Sequence, residues 1–297
     1  MIKNDKDIKD IVKQAIDLHV HVGPEVMPRK YTLPQLVKSE AGKMAGVAIK
    51  SHFFPTTPFI KEIPSIQKNF KVVGSITLNN SVGGLNVEAI RATAALSKNP
   101  VIVWMPTTSA KNYLDKSEYE IRPEWVKGTS FKPRESKEVA GITITKNNKL
   151  TPDSQKVLDV VKEMDLILAT GHVSWEEAKK LVIDASQKRI KRIILTHPIY
   201  QLIDMPVTVQ RELATLGAMV EICYSMYSID KIKLEKIVAQ IKSVGPQYFI
   251  ISSDVGQPAS PSPSEALFEF AELLFKNGIK DGDLHQMLVI NPRKLIS

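Results

Sequence analysis

The 297-residue sequence predicts a closed (β/α)₈ barrel, the TIM-barrel class of α/β fold. Short runs rich in Val and Ile alternate with stretches of helical spacing, which is typical of parallel strands buried on both faces. No glycine-rich fingerprint follows the first run, as a doubly wound nucleotide-binding sheet would require. Polar side chains collect at the carboxyl ends of several runs, where barrels carry their functional sites. We therefore expect a single barrel domain over residues 1–297.

Eight runs are predicted to form the barrel strands, and most are nearly continuous in hydrophobicity. In chain order they are Ala15–Val22, Val47–Phe53, Val72–Leu78, Val101–Pro106, Leu166–His172, Ile193–His197, Ala218–Tyr224 and Tyr248–Val255. The segments between them carry helix signals. A capping box has Ser174 as N-cap and Glu177 at the third helical position, and Pro152 follows Thr151 at a first helical position. Apolar spacing predicts further helices over Asn86–Lys98, Ile229–Val244 and Ser264–Lys276.

The segment between the fourth and fifth runs, residues 107–151, is longer than one helix and two loops need. It contains a possible hairpin, in which Gly141–Thr145 leads into a turn at Asn147-Asn148. We expect this segment to be an inserted lid on the face of the barrel that carries the polar strand ends.

Composition excludes several classes of protein. Hydrophobic residues make up 43% and charged residues 24%, as in ordinary globular chains. The net charge is +8, but the lysines are dispersed and aromatic residues are only 6%, which argues against nucleic-acid binding. The one cysteine, Cys223, permits no internal disulfide, and we expect its side chain to pack as a buried apolar group. No signal peptide or membrane-length apolar run is present, so we expect a cytoplasmic protein that pairs as a symmetric dimer.

Histidines are concentrated at the ends of the predicted strands. The chain has six, and His19 and His21 close the first run, where residues two apart point to the same side. Four other runs each end with one residue of a type that binds metals. These residues are His52 at the end of the second run, His172 at the fifth, His197 at the sixth and Asp254 at the eighth. Imidazole and carboxylate groups suit zinc, manganese or iron, and a barrel rim would bring them together. The sequence therefore predicts a divalent metal site.

This order of residues resembles the amidohydrolase superfamily. Its members carry His-x-His on strand one, single histidines on strands five and six and an aspartate on strand eight. The segment Asn291–Ile296 is also similar to the end of such chains. More narrowly, four motifs resemble those of a poorly characterised amidohydrolase-related subgroup: Asp17–Pro24, Trp104–Thr107, Thr170-Gly-His172 and Thr196-His-Pro198.

The resemblance implies roles for the strand-end residues. His19, His21 and Asp254 would bind the more buried metal, and Asp254 would also be the general base for the attacking water. His172 and His197 would hold a second ion, or His172 would bind the first while His197 orients substrate. The cofactor would be one or two divalent ions, with Zn²⁺ first and Mn²⁺ or Fe²⁺ as alternatives.

The sequence departs from the family on strand four. Two-metal members use a bridging carboxylated lysine or a glutamate there, and Val101–Met105 contains neither. Lys132 and Glu25 are candidate replacements, and the number of ions stays open.

Three further residues are candidates for binding substrate. Lys50 should face the same side as His52, and a lysine buried there needs an anion, which a substrate group or Asp17 could supply. Arg29, in the loop after the first run, is placed to clamp an anionic substrate.

The resemblance implies metal-activated hydrolysis of an amide, ester or lactone bond in a small molecule. A single-metal decarboxylase of the same superfamily is an alternative, because the bridging residue is absent. A phosphoesterase is a further alternative, although such chains end their site with Asp-x-His, and Asp254 is followed by Val255 and Gly256.

Overall fold

Strands and helices alternate along the chain. The structure is a computed structural model, and it describes residues 4–61, 63 and 70–297. The barrel strands are β1 (Ile16–His21), β2 (Gly46–Lys50), β3 (Lys71–Val73, continued by Ser75–Thr77), β4 (Ile102–Trp104), β5 (Ile167–Ala169), β6 (Ile193–Leu195), β7 (Ala218–Cys223) and β8 (Phe249–Ser252). The helices are α1 (Asn4–Gln14), α2 (Leu33–Glu40), α3 (Thr57–Ile60), α4 (Val87–Ala95), α5 (Lys111–Leu114), α6 (Pro152–Glu163), α7 (Trp175–Gln187), α8 (Val207–Thr215), α9 (Tyr224–Ser228), α10 (Leu234–Val244), α11 (Pro263–Lys276), α12 (Asp281–His285) and α13 (Asn291–Ile296). Within the described ranges, no helix is both long and apolar enough to span a bilayer.

The eight strands form a parallel ring in chain order. β3 links its neighbours in two steps, because Lys71–Val73 pairs with β2 and Ser75–Thr77 pairs with β4. The ring closes between β8 and β1, where Asp254 N donates to His19 O and His21 N donates to Val255 O, both at 2.8 Å. The predicted (β/α)₈ barrel is thus confirmed.

The barrel interior has an apolar lower part and a polar upper part. Side chains from the strands and the last helix fill the lower part: Ile16, Leu18, Ala48, Val73, Ile102, Trp104, Ile167, Ala169, Ile194, Ile250, Leu295 and Ile296. Above them, towards the carboxyl ends of the strands, lie the fully buried side chains of His19, Lys50 and Glu221. Buried charged groups need partners to remain stable. The upper layer is therefore where chemistry is concentrated.

Several elements differ in length from those predicted. The strands stop earlier than their hydrophobic runs, and β5 ends at Ala169 because Gly171 turns the chain with a φ of +63°. The helix predicted from Ile229 begins only at Leu234, since Lys231 takes a left-handed φ of +57° that breaks the helical path.

Other local signals are confirmed. Ser174 and Glu177 form the capping box of α7, and the Asn86 side chain caps α4 by accepting from two backbone amides.

The inserted segment forms α5, the 3₁₀ turns Pro123–Val126 and Ser136–Glu138, and a hairpin that pairs Thr145–Lys146 with Lys149–Leu150. Asn147 and Asn148 have φ values of +52° and +59°, as a two-residue type I′ turn requires. The first strand is shorter than predicted, because residues before Thr145 bond elsewhere. Ile142 N donates to Ser109 O, and Ile144 N donates to the Glu177 carboxylate.

Gly256 makes the close approach between the loop after β8 and β1. Its φ is +148°, and a Cβ there would lie 2.3 Å from His21 O. Gly217 also has a positive φ, +99°, but its Cβ would meet nothing within 4 Å. We expect Gly256→Ala to lower the free energy of unfolding by about 1–3 kcal/mol more than Gly217→Ala, because overpacking adds to the backbone strain. Equal losses in urea unfolding would contradict this reading.

Candidate metal site

The predicted site residues meet in one cavity at the carboxyl ends of the strands. The cavity has a volume of about 610 Å³. The predicted residues that line it are His21, Arg29, Lys50, His52, His172, His197 and Asp254. Arg122, Glu124, Trp125 and Lys127 of the inserted segment line it as well. The insertion therefore borders the cavity, as expected of a lid.

His19 lies at the centre of the site, below the cavity. The register of β1 shifts between Asp17 and Val20. His19 Nδ1 is 3.2 Å from Glu221 Oε1, while Nε2 is 2.9 Å from Lys50 Nζ and 3.1 Å from Asp254 Oδ1. A carboxylate only accepts hydrogen bonds, so Glu221 orients the imidazole through Nδ1 and turns Nε2 towards Asp254 and Lys50. Histidines that bind metals are commonly oriented this way.

Asp254 connects the two histidines of β1. Its Oδ1 is 3.1 Å from His19 Nε2 and 3.1 Å from His21 Nε2, and its Oδ2 accepts from Ser225 Oγ at 2.8 Å. Burial alone would raise the pKa of Asp254, but the charge of His19 and the hydrogen bond from His21 hold it well below its usual range. The carboxylate is therefore ionised and fixed in orientation.

His21 and Arg29 form the wall beside Asp254. Arg29 Nη2 is 3.2 Å from His21 Nδ1, and the Arg29 side chain is only 3% exposed. Burial, followed by the charge of Arg29, lowers the pKa of His21 well below its ordinary value. Its imidazole is therefore neutral near pH 7.

Glu25 organises this wall. It pairs with Arg29, and its Oε1 accepts from Ser51 Oγ at 2.8 Å and from His52 N at 2.7 Å. Its carboxylate is thus committed to fixing the loops, and the hypothesis that Glu25 bridges metals is wrong for this arrangement. His52 faces the cavity, with Nδ1 2.9 Å from Thr107 Oγ1 and its ring stacked on that of His21 at 4.8 Å.

His172 and His197 form the opposite wall. Their ring centroids are 5.1 Å apart, and the Tyr200 ring lies beside both. Neither Nδ1 atom has a hydrogen-bond partner among the residues that the structure describes, although both atoms are buried. Burial lowers the pKa of His197 to about 4 and that of His172 well below its usual value. Both rings are therefore neutral groups near pH 7.

The surroundings of Lys50 differ from those predicted. Its Nζ contacts His19 and lies 4.2 Å from the centroid of the Trp104 ring, and burial lowers its pKa. Asp17, the partner considered from the sequence, instead accepts from the backbone amides of His19 and Ser253 at 3.0 Å. Asp17 therefore helps to close the barrel, and burial raises its pKa to about 7.

Two residues on β7 that were not predicted as site residues contact His19. Glu221 and Cys223 lie two positions apart on the strand, so both side chains point to the same side, into the barrel. Cys223 Sγ is 3.8 Å from His19 Nδ1, and the ligand atoms of His19, Cys223 and Asp254 lie within 4.8 Å of one another. Cys223 is fully buried, as expected, and its sulfur also contacts His19, a position that the period-two pattern of β7 indicates.

Lys132 and His285 both lie outside the lining of the cavity. Lys132 is exposed in the inserted segment, outside the cavity lining, so the hypothesis that it bridges metals is wrong. His285 lies in α12 and is not among the residues that line the cavity.

The donor set fits a divalent ion. Ligands about 2.0–2.2 Å from a tetrahedral zinc lie about 3.3–3.6 Å apart, and the separations of 3.1 Å around Asp254 Oδ1 are close to this. The pairing of His19 with Glu221 and the buried, unpartnered Nδ1 atoms of His172 and His197 agree with a ligand site. Lys50 Nζ lies 2.9 Å from His19 Nε2, and burial lowers the pKa of this amine, which reduces its repulsion of a nearby cation.

The depressed pKa of His197 predicts a pH-dependent stability for the metal-free protein. The unfolded histidine takes up a proton below about pH 6.5, but the folded one does so only near pH 4. Stability is therefore lost as the pH falls from 6.5 towards 4. We expect the advantage of wild type over His197→Asn in urea unfolding to shrink by about 2 kcal/mol between pH 7 and pH 5.

The variant comparison is needed because Asp17 and Asp230, with pKa values raised by burial to about 7 and about 6, change stability in the opposite direction. Their contributions cancel between wild type and the variant. If the difference in unfolding free energy between wild type and His197→Asn stays constant from pH 7 to pH 5, His197 is protonated as readily in the folded state as in the unfolded state.

The fold is shared with solved amidohydrolase structures. An amidohydrolase from Pseudomonas aeruginosa aligns with a TM-score of 0.61 at 9% identity, covering 98% of each chain. The probable dipeptidase PvdM from the same organism aligns at 0.64 and 12% identity, covering 98% of this chain and 97% of that one. An amidohydrolase from Burkholderia multivorans with bound zinc aligns at 0.57 and 12%, covering 95% and 98%. These similarities confirm the fold that the sequence resemblance implied.

Comparison with curated protein sequences found no match. A family model does match, over residues 14–221, a range that contains strands β1 to β6 and most of β7. The chain therefore belongs to the family described as a family of unknown function, DUF6282.

Proposed function

We propose that the protein is a metal-dependent hydrolase that uses an activated water molecule to cleave an amide, ester or lactone bond in a small molecule. The observation that carries this proposal is the position of Asp254 Oδ1, 3.1 Å from both His19 Nε2 and His21 Nε2, at the end of the β8–β1 junction. The adjoining cavity, of about 610 Å³, has the size of a small-molecule site.

His19, His21 and Asp254 would hold the ion, and His172 and His197 would complete its surroundings or hold a second one. Zn²⁺ is the preferred candidate for a set of imidazoles and a carboxylate, with Mn²⁺ and Fe²⁺ as alternatives. When bound, such an ion polarises a scissile carbonyl and lowers the pKa of coordinated water towards neutrality.

The side chains around the ion would then move the proton and hold the substrate. Asp254 is ionised and accepts a proton from water, while Ser225 keeps its carboxylate in place. His197 is neutral near pH 7 and borders the cavity, so its ring can donate a hydrogen bond to the substrate carbonyl. Lys50, His52 and Arg29 also line the cavity and would contact the polar groups of the substrate.

The test is hydrolysis of a panel of simple lactones, esters and amides by the purified full chain, before and after treatment with a chelator. We expect activity towards at least one bond type, lost on chelation and restored by Zn²⁺ or Mn²⁺. Activity that survives complete metal removal would overturn the proposal. Carbon dioxide release from aromatic carboxylates, without hydrolysis, would favour the decarboxylase instead.

A further inference from the structure

We propose that His52 donates a hydrogen bond from Nε2 to the carbonyl oxygen of the substrate and stabilises the negative charge that this oxygen gains during hydrolysis. This inference rests on the proposed function, because it concerns the same bond that the activated water attacks. It gives one atom and one proton to a residue that the sequence marks only as a substrate contact.

Asn79, in the loop after β3, joins the loops that follow β2 and β4. Its Oδ1 accepts from Thr107 N at 2.8 Å and from Ser109 N at 3.2 Å. Its Nδ2 donates to His52 O at 2.9 Å. Backbone amides only donate and backbone carbonyls only accept, so these contacts distinguish the oxygen of the side-chain amide from its nitrogen. Asn79 Nδ2 is therefore also the donor to Thr107 Oγ1, which lies 2.8 Å away.

The Thr107 hydroxyl has one acceptor for its own proton. Thr107 is fully buried, and its Oγ1 contacts Asn79 Nδ2, which is a donor, and His52 Nδ1 at 2.9 Å. These are the two side-chain contacts of this hydroxyl among the residues that the structure describes. Leaving a buried hydroxyl proton unpaired is costly, so Thr107 donates to His52 Nδ1. Because Nδ1 then accepts, the imidazole carries its proton on Nε2.

The Nε2 atom of His52 is open to the cavity. His52 is one of the residues that line the cavity, and Nε2 has no hydrogen-bond partner within the described ranges. Its ring is stacked on that of His21 with centroids 4.8 Å apart, and the His172 ring lies 6.3 Å away. The donor is therefore beside the residues proposed to surround the ion. A carbonyl attacked by water on that ion would bring its oxygen within reach of this N–H group.

A donor with a fixed proton is suited to stabilise an oxyanion. Such donors act without reorganising during the reaction, and the loss of one lowers kcat by about 10²–10³-fold. Thr107 and Asn79 provide the fixation, since both side chains are buried and their hydrogen bonds to this loop are mutually satisfied. The His52 donor would act together with the one proposed at His197, as two donors commonly form an oxyanion hole.

The first test compares two substitutions of His52. Glutamine places its amide nitrogen near the position of Nε2 and keeps a donor in the cavity, whereas asparagine reaches only the position of Nδ1. We expect His52→Asn to lower kcat by about 10²–10³-fold with a smaller change in KM. His52→Gln should recover a large part of that loss, and both variants should retain the metal content of wild type. Equal kcat values in the two variants would overturn the role of a donor at Nε2.

The second test locates the proton in the metal-free full chain, labelled with ¹⁵N in its histidines. Two-dimensional ¹H–¹⁵N spectra distinguish protonated from unprotonated ring nitrogens, and the signals missing from His52→Gln identify those of His52. We expect the proton on Nε2 at neutral pH. Thr107→Val, which removes the hydroxyl, should weaken this preference and lower kcat. A proton on Nδ1 in wild type would overturn the inference.

The outcomes separate this inference from the proposed function. Metal-dependent hydrolysis by wild type, combined with a proton on Nδ1 or with an unchanged kcat in His52→Asn, would overturn the role of His52 and leave the hydrolase standing. Absence of metal-dependent hydrolysis by wild type would overturn both. If His52→Asn does not fold, Thr107→Val decides the matter together with the wild-type spectrum, because that variant keeps the ring and loses only the group that orients its proton.

Discussion

Asp254→Asn is expected to lower kcat by about 10³-fold, within the range that general-base catalysis contributes. The carboxylate is ionised, faces His19 and His21 through Oδ1, and is held by Ser225 through Oδ2. An asparagine keeps the shape of the side chain but cannot take a proton from water. KM should change less than kcat, because the proton is transferred only in the transition state.

The matched control is Asp159→Asn, the same change at a carboxylate that is 61% exposed and paired with Lys188 on the outer helices. Its kinetics should equal those of wild type. Metal content of Asp254→Asn should be measured beside its kinetics, since the same group is a proposed ligand. A variant that retains both metal and full kcat would show that Asp254 is not the base.

The largest effect on stability is expected at Glu221, the fully buried partner of His19. Glu221→Leu would leave His19 Nδ1 buried without its acceptor, and it would remove a negative charge that compensates the buried amine of Lys50. Breaking a buried charge network in this way costs about 3–5 kcal/mol. Urea unfolding of the metal-free protein measures this loss.

A double-mutant cycle distinguishes the network from simple loss of packing. Lys50→Met removes the buried amine while keeping a similar volume, so the double variant with Glu221→Leu should be more stable than the sum of the single losses. We expect a coupling of about 1–3 kcal/mol, as for residues in one polar network. Strictly additive losses would show that Glu221 and Lys50 do not act together through His19.

The barrel and the residues at its strand ends were predictable from the sequence, because both follow from local patterns. Hydrophobic runs mark strands buried on two faces, and His19 and His21 sit two apart on one of them. The meeting of His172, His197 and Asp254 follows once the runs are ordered into a ring. Strand ends were less predictable, since turns such as the one at Gly171 begin inside the hydrophobic runs.

The partners within the site were not predictable from local patterns. Lys50 contacts His19 rather than Asp17, and Cys223 lies beside His19, because register and barrel closure decide which strands face each other. Glu25 was selected only as a candidate bridge between two ions. Its engagement by Arg29 and the loop after β2 depends on contacts between segments distant in the sequence.

Metal content is the measurement that tests the central claim most directly. Purified wild type, His19→Ala and His172→Ala would be incubated with divalent metals, desalted and analysed by mass spectrometry. We expect wild type to retain one or two ions per chain, with zinc preferred, and both variants to retain less. Wild type that retains no metal after this treatment would contradict the account, and the histidines of the barrel rim would then need another explanation.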